Sequence, residues 1–145
     1  MAKPILAYVL VSLALAFGCE SKSDNGRLKV TGSVTFAGQP VEEGQIIFEP
    51  EAPGAPLATG VIKAGKYEIE PKFGPAAGPY RVRIEGYRKK KVANMPPHPY
   101  AADSAEPGVV SEPFLPAEYN ARTTLRVEIG ADEENIHDFN LKSKR

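Results

Sequence analysis

Hydrophobic and polar residues alternate along most of the chain with a period of two, and the alternation predicts strands. Val30, Gly32, Val34 and Phe36 interleave with Thr31, Ser33 and Thr35, which sends one face into a core and the other into water. Phe36 is expected inside. Ala37, Gly38, Gln39 and Pro40 form a turn, Val41 returns toward the core, and after Gly44 a second strand carries Ile46 and Phe48 on one face. Pro50, Pro53, Gly54 and Pro56 end it. Leu57 to Lys63 and Tyr67 to Glu70 flank Ala64, Gly65 and Lys66, a tight hairpin in which Gly65 supplies positive φ. Tyr80, Val82 and Ile84 alternate with Arg81, Arg83 and Glu85. Leu125, Val127 and Ile129 do so with Arg126 and Glu128, and Phe139 and Leu141 flank Asn140.

About seven short strands and no convincing helical period predict an all-β fold, an antiparallel β-sandwich over residues 28–145. Two sheets that are each apolar on one face become stable by packing together. One stretch breaks the alternation. Residues 89–118 carry Pro96, Pro97, Pro99, Pro107, Pro113 and Pro116, and are expected to form a long irregular loop, a segment that on a rigid scaffold is either functional or merely tolerated.

Ahead of the domain the pattern is different. Lys3 is followed by an apolar run from Ile5 to Ala16, then Phe17, Gly18 and Cys19, and the chain turns abruptly polar at Glu20. That is the layout of a signal peptide over residues 1–18. A permanent span needs roughly 20 apolar residues and is the weaker reading. Cys19 is the single cysteine, so it cannot serve a disulfide within the chain. Ala16, Phe17, Gly18 and Cys19 resemble the lipobox of bacterial lipoproteins, which implies cleavage before Cys19, lipid on its thiol and partnership with a membrane through that lipid. An ordinary signal peptide that leaves a free thiol is the alternative. Residues 19–27 read as a flexible polar tether. The expected location is the cell envelope, on the periplasmic or outer-surface side.

Charge narrows the partners. Eighteen basic and 18 acidic side chains balance, and removing Lys3 with the signal leaves the chain near neutral, which argues against a nucleic-acid partner.

The series Val30, Gly32, Val34, Phe36, Gly38, Pro40, Val41, Gly44, Ile46, Phe48 and Pro50 continues through Gly65 to Tyr67, Gly78 to Tyr80, Val82 and Ile84. It resembles the carboxypeptidase regulatory-like domain, as does the ending Pro116, Tyr119, Asn120, Thr123, Leu125, Val127, Asp138, Phe139 and Leu141. The resemblance spans nearly all of residues 28–142. It implies a transthyretin-like, prealbumin-type sandwich of the broad immunoglobulin-like kind, and an accessory, non-enzymatic role in structure, folding or interaction. Each Gly-x-Tyr pair also makes physical sense as a corner, the glycine turning the backbone and the tyrosine burying its ring while its hydroxyl satisfies a backbone group. Tyr67 and Tyr80 are therefore expected to be scaffold.

Candidate chemistry is sparse. His98 and His137 with one carboxylate are the most a metal site could assemble, fewer protein ligands than a structural zinc takes. No metal and no cofactor is expected. The transthyretin-like fold also hosts hydroxyisourate hydrolase, with a tyrosine-arginine-glycine-serine ending where this chain reads Lys142, Ser143, Lys144 and Arg145, so that activity is not expected. No serine stands in a glycine-flanked elbow and no second cysteine is present, so no catalytic residue is assigned. Glu42 with Glu43, and Asp132, Glu133 and Glu134, read as solvated turn carboxylates. Arg88, Lys89, Lys90 and Lys91 are the single basic run, suited to anionic headgroups or acidic polymer, or simply to a strand end that discourages edge pairing. With no Trp in the chain, Tyr87, Tyr100 and Tyr119 are the candidate platforms for sugar, Tyr119 being the one expected to pack. The binding candidates are thus Tyr87, Arg88 to Lys91 and Tyr100. The expectation is a lipid-anchored structural or binding module with an envelope protein or polysaccharide as partner; the alternative is a carbohydrate- or cell-wall-polymer-binding module using residues 87–118.

Overall fold

The computed structural model describes residues 26–93, 108–132 and 134–143. Within them the chain forms strands β1 (Val30–Phe36), β2 (Gln39–Pro40), β3 (Glu43–Pro50), β4 (Ala58–Lys63), β5 (Lys66–Ile69), β6 (Gly78–Lys91), β7 (Val109–Pro113), β8 (Arg126–Ile129), β9 (Asn135–Ile136) and β10 (Phe139–Leu141), with short 3-10 turns at Pro71–Phe73 and Ala117–Tyr119. The fold is all-β. One sheet runs in the order β10, β1, β5, β4, β3, β6, β7 and curls over on itself in a sandwich-like way, β2 and β9 pairing with β1 and β8 with β6.

Two departures from the expected pattern follow from chain direction. Most pairs are antiparallel, but β9 and β10 lie parallel to β1, with Val30 opposite Asn135 and Val34 opposite Phe139. The cause is that β8 runs back to the end of the molecule where β1 begins, so the chain can only start along β1 from that same end. The expected loop is also shorter at both ends. Lys89 to Lys91 continue β6, and Val109 to Pro113 pair with Tyr87 to Lys91 as β7, with Lys91 opposite Val109 and Lys89 opposite Ser111.

The registers define two ends. At the first, the Leu28 N–H donates to Pro75 O at 2.8 Å and Arg27 bridges Ala76, just ahead of the start of β6. At the second, the Phe36 ring meets Phe114 edge-on at 5.8 Å, and the Phe114 N–H donates to Gly86 O. β6 therefore climbs from the end where the chain enters the domain to the opposite end. Its pairing with β3 stops at Tyr87 opposite Glu43, and beyond that β6 and β7 run on as a two-stranded arm.

Inside, Val30, Val34, Ile46, Phe48, Ile62, Tyr80, Val82, Ile84 and Ile129 are almost fully buried. The rings of Tyr67 and Tyr80 lie 6.2 and 6.4 Å from Phe48. The Tyr67 hydroxyl donates to His137 O at 2.8 Å, and the Tyr80 hydroxyl donates to Pro56 O at 3.2 Å while accepting from the Ala76 N–H at 3.1 Å. Both tyrosines are scaffold, as their corner positions predict. Phe36 is different: it ends β1 and is only half-buried, packed against the core from its rim. The β4–β5 connection is a two-residue turn with positive φ at Ala64 (48°) and Gly65 (74°), the geometry that matches strand twist.

Candidate functional site

Alternation along β6 decides what the basic run can do. Tyr80, Val82, Ile84 and Gly86 face the core, so Arg81, Arg83, Glu85, Tyr87, Lys89 and Lys91 share the outer face, while Arg88 and Lys90 continue the inner face past the core. The five candidates from Tyr87 to Lys91 are therefore divided between two sides of the sheet and do not form one patch. Tyr100 lies outside the described residues, as do Cys19 and His98.

On the outer face of β3, β6 and β8 the polar side chains are tied together. Arg126 meets Glu51 at 2.6 Å, Arg81 meets Glu49 at 2.7 Å, and Arg83 reaches the same Glu49 at 3.2 Å. Glu85 accepts from the Tyr87 hydroxyl at 2.7 Å and from Gln45 Nε2 at 2.9 Å. These bonds to the charged form, Tyr87's above all, hold the Glu85 carboxyl below its ordinary range, and the same bond raises the Tyr87 phenol. Tyr87 is half-buried and its hydroxyl is committed to Glu85, which makes it a poor stacking platform. Ile47 lies on this outer face, flanked by Arg83 and Thr59, and is only 6% exposed.

The arm is more weakly paired. Arg88 and Lys90 share one carboxylate, Glu112, at 3.4 and 3.6 Å, and Lys89 reaches Glu43 at 3.6 Å. No carboxylate pairs with Lys91 among the described residues. Four cations thus face two carboxylates, and the three that are paired keep roughly 60% of their side chains in water (64%, 59% and 63%). Pairs of this kind contribute little to stability and leave the cations available. The arm itself was hidden from sequence reasoning by its prolines. A signal was present in Val109, Val110, Glu112 and Phe114, too brief to stand against them.

Elsewhere, the His137 N–H donates to Thr31 O at 2.9 Å, and its Nε2 is buried with no hydrogen-bond partner. Desolvation lowers the imidazole pKa, with Asp138 opposing. Among the described residues no three His, Cys, Asp or Glu side chains converge as a metal site would require. An open groove of about 680 Å³ crosses the outer face of β1, β5 and β4, where Thr31, Val61, Glu68 and Phe73 line it. It shares no residue with the basic run. No helix of the described residues is long and apolar enough to cross a membrane. No known protein family, curated protein or solved structure matches the chain.

Proposed function

We propose that the chain is a non-enzymatic, lipid-anchored cell-envelope protein whose sandwich holds the β6–β7 arm out toward a partner. The observation that carries this reading is the placement of the arm. The chain enters the domain beside Pro75 and Ala76 at one end, and the arm leaves at the other, past Phe36, Phe114 and Gly86. A lipid on Cys19, reaching the domain through residues 20–27, would put the basic arm on the side away from its own membrane. The resemblance of residues 28–142 to the carboxypeptidase regulatory-like domain supports an accessory role, and Ala16 to Cys19 support the lipid.

Two measurements test the parts separately. Labelling with a clickable fatty acid should mark the wild type and not Cys19→Ala; equal labelling removes the anchor. For the arm, residues 89–111 are replaced by Asn-Gly, which joins Arg88 to Glu112 as a two-residue turn. Pull-downs from envelope extract should lose partners with this shortened variant, and recovery of the same partners removes the arm as interface. The cell-wall-polymer reading keeps one support, the excess of cations on the arm. Against it, no described aromatic offers a flat exposed ring there.

A further inference from the structure

The arm has an open backbone edge as well as open charges. Even-numbered residues of β6 spend their backbone groups on the β7 and β8 side. The Val82 N–H donates to Leu125 O at 2.9 Å, the Val92 N–H donates to Gly108 O at 2.7 Å, and Gly86 O accepts from the Phe114 N–H at 3.1 Å. Alternation in an antiparallel ladder then turns the N–H and C=O groups of odd-numbered residues toward β3. β3 begins at Glu43, opposite Tyr87. The chain just before it does not extend the line, because the Val41 N–H donates to Val34 O and Val41 O accepts from the Gly65 N–H. Lys89 and Lys91 therefore present their N–H and C=O groups on an edge that no described strand pairs.

The side chains beside that edge select the charge of whatever fills it. Glu43, the first residue of β3, already reaches Lys89 at 3.6 Å. A strand continuing β3's line would set its residues beside Lys89 and Lys91 on one face and beside Arg88 and Lys90 on the other, where opposite charges are the favourable cross-strand partners. The same cations repel the identical edge of a second copy, the usual way a sheet edge is kept from self-pairing. A polysaccharide could meet the charges but has no backbone ladder to offer.

We propose that an extended acidic peptide adds to the arm as a strand in line with β3, along the β6 edge at Lys89 and Lys91. This rests on the reading of the arm as the interaction element, and it names the partner as acidic polypeptide. The test titrates the full chain in detergent with a short fluorescent peptide alternating Glu and Thr. Alongside it go the same peptide N-methylated at alternate residues and a polyuronate of similar charge. Lys89→Gln/Lys91→Gln should weaken binding of the plain peptide about tenfold, N-methylation should weaken it as much, and Lys66→Gln/Lys72→Gln, two exposed lysines off the arm, should leave it unchanged. If the N-methylated peptide or the polyuronate binds as tightly as the plain peptide, the arm attracts any polyanion and strand addition is overturned. If no peptide binds while the Asn-Gly variant still loses its partners, strand addition fails and the arm stays the interface. An Asn-Gly variant that keeps its partners overturns the underlying reading itself.

Discussion

Gly32 shows how much one missing side chain can decide. It lies on β1 where the chain passes at His137, and a β-carbon built there would stand 1.9 Å from His137 O and 2.9 Å from the Tyr67 hydroxyl oxygen. Gly32→Ala is expected to cost about 1–3 kcal/mol, read as a lower midpoint in denaturant, because the clash is with backbone that cannot swing aside. An unchanged midpoint would mean that the chain at 137 does not cross β1 there. His137 itself gives a pH dependence. Burial holds its imidazole below the ordinary value of 6.5, so in acid the unfolded chain binds a proton that the folded chain resists. Stability present above pH 6.5 is therefore lost as the pH falls through the lowered folded value. The charged group that bears on the ring is Asp138, which opposes the shift. Melting temperature should decline from about pH 7 to about pH 5 in the wild type and decline less in His137→Gln, with His98 common to both. Parallel curves would show that His137 is not buried.

Strands were legible where apolar positions alternated with polar ones or flanked a turn signal, which covers β1, β3, β4, β5, β6, β8 and β10. The two-residue pieces and β7 were not. β9 has two residues and takes its place from the β1 backbone, and β7 depends on β6 running four residues past β3, a length that local alternation cannot announce. Alternation also assigns a face without saying how far along a strand the core extends, and for that reason Phe36 reads as core yet is half-buried. The two phenylalanines separate the cases. Phe48→Ala, which empties fully buried volume between Tyr67 and Tyr80, should cost about 3–5 kcal/mol. Phe36→Ala, which loses its edge contact with Phe114 and partial burial, should cost about 1–3 kcal/mol. Equal losses in urea melts would place Phe36 in the core after all. As for the candidate site, its residues were legible as a charge run, but their division between two faces required the register of β6.

At the scale of the whole molecule the consequence is polarity. From Tyr80 to Lys91 a single strand advances about 35 Å, at roughly 3.3 Å per residue, from the end where the chain enters to the tip of the arm. β8 runs the other way, so the turn carrying Asp132 and Glu134 falls at the entry end. Under the proposed anchor on Cys19, the short tether holds the entry end nearest the bilayer, and the cations of the arm, several Debye lengths of roughly 8 Å away at physiological salt, lie beyond the pull of anionic headgroups. A domain anchored in this way is expected to stand with the arm outward. A fluorophore on Lys72→Cys, at the entry end, should be quenched strongly by spin-labelled lipid in vesicles carrying the acylated chain. The same fluorophore on Ser111→Cys, on β7, should be quenched far less. Under the proposed lipidation the Cys19 thiol is blocked in both variants, so the label reports one position. Equal quenching at the two sites would mean that the domain lies flat on the bilayer, and the basic run would then face its own membrane's headgroups.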